Sequence, residues 1–131
     1  MDSVITLDTS ALIAVIGNEA SKPRIIALTA GHELIAPCSV HWEVGNAFSA
    51  MLRRRRATLE QVKKAIQVYR QIPLQLIDVD LAEALELADR LNLYAYDAYL
   101  LCCARQTRTA LITLDNGLKN AARSCGVSIQ E

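Results

Sequence analysis

Short β-branched runs alternate with helical patterns along this chain, and no two of them are joined by a two-residue hairpin turn. Strands that must cross a helix before meeting pair in parallel, so the alternation predicts crossover connections and a mainly parallel sheet. Val4-Ile5-Thr6-Leu7 reads as the first strand and 33–36 as the second, stopped by Pro37. Runs 74–79, 110–114 and 127–129 complete five. Between them, helical patterns cover 11–16, 23–29, a long stretch with Ser39 as its expected N-cap, a helix opened by Thr58 that ends before Pro73, one opened by Asp80, then 97–107 and 116–124. Val40, Val44, Ala47, Phe48, Met51 and Leu52 put one apolar side on the third of these. Thr58-x-x-Gln61 and Asp80-x-x-Glu83 are capping-box patterns opening the next two. Leu81, Ala84, Leu85 and Ala88 are the expected buried stripe of the second of that pair. The prediction is a three-layer αβα fold over 1–131, with a mainly parallel five-stranded sheet and no repeat.

Composition supports one domain. The 131 residues are 52% apolar and 21% charged, enough to bury a core without disulfide or metal staples. Fourteen basic against fourteen acidic side chains give no net charge, which argues at first sight against a nucleic-acid partner. No apolar run reaches the roughly 18–20 residues of a membrane span, and Met1-Asp2-Ser3 lacks the basic start of a targeting peptide. Cys38, Cys102, Cys103 and Cys125 form no CxxC pair, and His32 and His41 stand far from them. They read as buried thiols of a protein in the reducing cytoplasm rather than as zinc ligands.

Four acids do not fit an ordinary solvated face. Asp8 directly follows the first strand and Asp115 the fourth, while Glu43 lies about a turn into the helix after the second. In a parallel sheet all these positions share the carboxyl edge, where ligands bind at the switch point of strand order. Asp97 follows a helix and joins them only if its own helix begins at that edge. Each acid alone is explained by capping: Asp8, Asp97 and Asp115 all stand where a helix starts. Together they are costly, because two carboxylates about 6 Å apart repel by roughly 3 kcal/mol at an effective dielectric near 20. No Lys or Arg adjoins them in sequence, so a hard, oxygen-preferring cation such as Mg²⁺ or Mn²⁺ is the natural counter-charge. Ser10, Asn46 and Thr113, at two, three and two residues from Asp8, Glu43 and Asp115, are candidate orienting groups. Capping and packing explain each of those three equally well.

These segments resemble a known family. Asp8-Thr9-Ser10-Ala11-Leu12 after an apolar strand is similar to the opening motif of PIN-domain nucleases. Glu43-Val44-Gly45-Asn46-Ala47, Tyr96-Asp97-Ala98-Tyr99-Leu100 and 111–115 with Leu118 and Ala121-Ala122 resemble the next three motifs, in order. Order, spacing and length resemble the VapC-type toxins of prokaryotic toxin–antitoxin pairs over nearly the whole chain. The resemblance implies Mg²⁺- or Mn²⁺-dependent cleavage of RNA phosphodiester bonds, a homodimer, and inhibition by a cognate protein antitoxin. It makes Asp8, Glu43, Asp97 and Asp115 the site acids, with Asp8 and Asp97 as the expected direct ligands and Glu43 and Asp115 acting directly or through water.

The neutral balance also hides an asymmetry. Arg53, Arg54, Arg55, Arg56, Lys63, Lys64 and Arg70 are seven of the fourteen cations, and with Glu60 as the one acid the segment 53–70 carries +6. This is either a solvated helix end or a rim that attracts RNA phosphates or a partner. Two other readings of the chain stand beside the nuclease. A receiver-like signalling domain shares its size and alternation, but needs an acidic pair at the end of the first strand, where Asp8 has no acidic neighbour. A non-catalytic α/β binding module would use the four acids only as caps.

Overall fold

The computed structural model describes residues 3–131. Strands β1 (Val4–Leu7), β2 (Glu33–Pro37), β3 (Leu74–Ile77) and β4 (Ala110–Ile112) form one parallel sheet in the order β3-β2-β1-β4. Helices α1 (Thr9–Ile16), α2 (Lys22–Thr29), α3 (Ser39–Arg53), α4 (Leu59–Gln71), α5 (Leu81–Leu91), α6 (Ala95–Thr107) and α7 (Asn116–Ser124) connect and cover it. The chain runs outward from β1 through β2 to β3, then returns to place β4 on the other side of β1. The switch point therefore lies between the carboxyl ends of β1 and β4. A receiver-type sheet has the order 2-1-3-4-5, so this order sets the protein apart from that fold.

Alternation along the strands divides the core between two layers. Ile5, Leu7 and Ile112 pack with Leu12 and Ile25 of α1 and α2, whereas Leu111 packs with Leu87, Leu101 and Leu118 of α5, α6 and α7. The α3–α4 pair covers the outer side of α1, joining Ile13 and Ile16 to Val44, Phe48, Val62 and Tyr69. Among the described residues no helix is long and apolar enough to cross a membrane.

Four expectations from the sequence need correction. The sheet has four strands rather than five: beyond the tight turn at Gly126 (φ +79°), residues 127–129 make a single parallel bridge, Leu111 to Ile129. Two hydrogen bonds hold it, from Leu111 N–H to Ser128 O and from Gln130 N–H to Leu111 O, too few for a ladder. On α5 the buried stripe is Ala84 and Leu87 with Ala88 and Leu91 half-buried, while Leu81 and Leu85 are about half exposed. Apolar residues occupy more than one face of this helix, and packing against α6 selected the other face. The second capping box is half built: Asp80 accepts from Glu83 N–H, but Asp80's own N–H donates to Gln106 Oε1. Gln106 Nε2 also donates to Asp78 O, so this side chain takes up backbone groups past the end of β3. Finally, Cys38 is exposed rather than buried; all four cysteines are free thiols.

The first capping box forms in full, with Thr58 and Gln61 bonding each other's backbone. Phe48 is core, and Trp42 is exposed with its ring against His41.

Candidate functional site

Asp8 leaves the central strand β1 at the switch point, with its backbone N–H donated to Ile112 O of β4. It is the N-cap of α1, accepting from Ala11 N–H at 2.9 Å, yet only 3% of its surface is exposed. A carboxylate so deeply buried must have its lone pairs met. Ser10 Oγ donates to it, at 2.7 Å from Oδ1 and 2.9 Å from Oδ2, and Thr113 Oγ1 donates to Oδ2. The same hydroxyl oxygens accept backbone N–H groups in turn: Leu114 N–H to Ser10 Oγ and Asp115 N–H to Thr113 Oγ1, both at 3.0 Å. These two acceptors also explain why β4 stops at Ile112, since the next backbone donors turn to hydroxyls instead of a neighbouring strand. Each hydroxyl thus has its proton pointed at Asp8 and a lone pair on the β4–α7 turn.

Asp115 is the N-cap of α7, its Oδ1 accepting from Gly117 N–H at 2.8 Å and Leu118 N–H at 3.3 Å. A Cβ on Gly117 would lie 3.2 Å from that oxygen, so a side chain there would press on the carboxylate. Glu43 projects from the first turns of α3, and its Oε2 is buried without a hydrogen-bond partner. Thr9 Oγ1 faces it and offsets part of the cost of burial, short of completing a hydrogen bond. Asp97 occupies the first turn of α6 and does not cap it; the cap residue is Tyr94. Because α6 runs directly into β4 through a short link, its N-terminus lies at the carboxyl edge. The placement that sequence spacing left open is thereby resolved.

The four carboxyl groups feel one another. Burial pushes the pKa of Asp8 up, its hydrogen bonds hold it back, and Asp115 adds to the rise. Burial also pushes Glu43 up, to about 7, with Asp97 and Asp8 contributing. Asp97 is raised by burial and by Asp115. Among the described residues the ion pairs within 4 Å are those of Lys119 and Arg123 with Glu131, and none involves these four acids. The fold therefore gathers negative charge without supplying a cation, and leaves a buried carboxylate oxygen unsatisfied.

That donor set fits a hard divalent cation: all oxygen, charge in excess, one oxygen vacant. Among the described residues no three Asp, Glu, His or Cys side chains are drawn together tightly enough to share one ion directly. An ion that keeps several of its waters needs only one or two carboxylates in direct contact, which such spacing permits.

The structure brings Ser10 and Thr113 to Asp8 as hydrogen-bond donors. Asn46 is exposed on α3 and has no side-chain hydrogen bond among the described residues. Arg53, Arg54, Arg55, Arg56, Lys63 and Lys64 are all exposed. Arg53 lies ten residues beyond Glu43 on α3, about 15 Å along the axis at the helical rise. Thr9 and Gly117 were not singled out from sequence, although Thr9 adjoins Asp8 and Gly117 sits two residues after Asp115.

Thr113→Val should show how much the hydroxyl matters. It deprives Asp8 of a donor and Asp115 N–H of its acceptor at a site only 4% exposed. The expected cost is about 1–3 kcal/mol in urea unfolding, with divalent affinity weakened roughly 10- to 100-fold in titration calorimetry. An unchanged unfolding midpoint would show that the network carries no load.

The PIN domain family model matches residues 5–124. A protein from Pyrobaculum aerophilum superposes with a TM-score of 0.71 at 21% identity, over 97% of this chain and 83% of that one. A toxin–antitoxin complex from Klebsiella pneumoniae gives 0.66 at 21% identity, over 97% and 98% of the two chains. VapC20 of Mycobacterium tuberculosis, a toxin that cleaves the sarcin–ricin loop, gives 0.64 at 16% identity, over 89% and 94%. No curated protein matches significantly.

Proposed function

Because the chain belongs to the PIN domain family, we propose that it is a metal-dependent endoribonuclease and the toxin of a toxin–antitoxin pair. The carrying observation is the gathering of four carboxylates at the carboxyl edge, three of them raised in pKa by burial and by their acidic neighbours, with no ion pair within 4 Å to any of them among the described residues. A non-catalytic module using these acids as caps would account for Asp8 and Asp115. It would not account for Asp97, which caps nothing, or for the buried and unsatisfied Glu43. Bound there, Mg²⁺ or Mn²⁺ would supply Lewis-acid stabilisation of the phosphodiester oxygens and a lowered pKa for water.

In this reading Asp8 and Asp97 would hold the ion, with Glu43 and Asp115 contributing directly or through water. Ser10 and Thr113 keep the Asp8 carboxylate in one rotamer, with its donors fixed by the β4–α7 turn. Glu43, whose Oε2 has no hydrogen-bond partner, has an acceptor free for a water at the site. The cations from Arg53 to Lys64 draw the RNA backbone toward the acidic edge. An apolar cleft of about 430 Å³ among α1, α3 and α4, with Arg56 and Lys64 at its lip, suits a partner segment both apolar and acidic, as an antitoxin would supply. A second copy of the chain completes the working unit as a homodimer.

The test is cleavage of single-stranded RNA by the purified protein with Mg²⁺ or Mn²⁺, and its loss in excess EDTA with recovery on adding metal back. Cleavage that persists in EDTA would overturn the assignment.

A further inference from the structure

Four of the seven described helices are capped by a side-chain oxygen; α6, like α2 and α3, is not. Asp8, Thr58, Asp80 and Asp115 each cap the helix they precede through a side-chain oxygen. At α6 the cap position holds Tyr94, which offers no side-chain hydrogen bond. Nor does its ring pack: Tyr94 is 87% exposed, more than any other large apolar or aromatic side chain described. Its aromatic neighbours differ, since Tyr96 stacks edge-on against Tyr99 at 6.0 Å and Trp42 against His41 at 4.8 Å. A serine or aspartate at this cap position would stabilise the helix, and burial would be the usual reason for a tyrosine. Folding explains neither choice, and departures of this kind concentrate where a protein meets a ligand.

Its position says which ligand. Tyr94 stands three residues before Asp97, and its carbonyl accepts from Ala98 N–H at 3.1 Å, so its backbone belongs to the same first turn as that acid. An exposed aromatic ring is thus borne on the turn that carries Asp97, at the open carboxyl edge. Bases of an unpaired strand stack on such faces whatever their identity, whereas bases in a duplex have their faces already covered. Resting on the nuclease reading above, we infer that Tyr94 is the stacking platform for an unpaired base next to the scissile phosphate. The contact is made equally before and during the reaction, so it lowers KM and leaves kcat alone.

The decisive variant is Tyr94→Ser, because the capping and stacking roles move in opposite directions. On a short single-stranded RNA that the wild type cleaves, KM should rise roughly 5- to 100-fold with kcat little changed, while Tm holds or increases. Tyr94→Phe, which keeps the ring, should behave like the wild type. Replacing one base near the cut with an abasic sugar should raise the wild-type KM by a similar factor and barely affect Tyr94→Ser, since both changes remove the same contact. Wild-type kinetics in Tyr94→Ser would overturn the inference. So would a loss of self-association in Tyr94→Ser, seen by sedimentation, with KM unchanged; the ring would then be a contact between protein chains. A wild-type protein that cleaves no RNA in either metal defeats the nuclease reading itself, a result distinct from these.

Discussion

Asp97→Asn is expected to abolish RNA cleavage and, in metal-free buffer, to raise the melting temperature. The loss follows from removing a carboxylate that would hold the metal: several kcal/mol of charge stabilisation, or roughly a thousandfold in rate. The gain in stability follows from the same charge. Asp97 is raised in pKa by burial and by Asp115, so its ionised form is less welcome in the folded protein than in the unfolded one. Asparagine preserves the shape and removes the repulsion, and because Asp97 makes no capping bond nothing structural is forfeited. Calorimetry of the two proteins in EDTA, beside cleavage assays in Mg²⁺, reads both effects. An active Asp97→Asn would sink the site assignment, and an inactive one with a lowered Tm would show the acid to be a structural prop.

A second large effect concerns pH. Burial and the neighbouring acids lift Glu43 from 4.5 to about 7 in the fold. Between these values the folded chain binds more protons than the unfolded one, so stability falls as pH rises. The contribution is complete below about 4.5 and gone above about 7. Discounted for a side chain that is partly solvated, it is on the order of 1–2 kcal/mol. Asp8 and Asp97 shift in the same direction. Metal-free protein should therefore melt at a lower temperature at pH 7.5 than at pH 5.5. Millimolar Mg²⁺ should close the gap at the higher pH and do little at the lower, where protons compete for the same oxygens. Glu43→Gln should flatten the slope. A Tm that climbs from pH 5.5 to 7.5 without metal would contradict the electrostatic account.

Much of the site was readable before the structure, because Asp8 and Asp115 follow their strands directly and Glu43 lies a turn beyond the next. In a parallel sheet those positions have only one edge to occupy. Capping did not remove these acids from the edge: Asp8 and Asp115 cap their helices and stand at the switch point at once, the exposed backbone donors of a helix start being one of the few places that tolerate a buried carboxylate. What spacing could not supply was direction. Asp97 reaches the edge because α6 leads immediately into β4, and nothing local to Asp97 says so. Helix phase was similarly obscure in α5, whose seven apolar positions from Leu81 to Leu91 describe a band too wide to choose a face. The last strand failed for want of length rather than of pattern. Tyr94 was visible as a letter, but its exposure arises from the absence of neighbours, which only the tertiary fold reveals.

The bond from Thr113 to Asp8 spans 105 positions of the chain. During synthesis, Asp8 is made early, while Thr113, which completes the bonding of its carboxylate, and the Ile112 carbonyl that receives its N–H follow about a hundred residues later. The central strand cannot be completed until β4 arrives, and with β4 come Thr113 and Asp115. A nascent chain therefore carries the first acid of the site for most of its translation without having the site. Whatever these acids do together, they can do it only once β4 has been made, so the site assembles late although its first acid is made early.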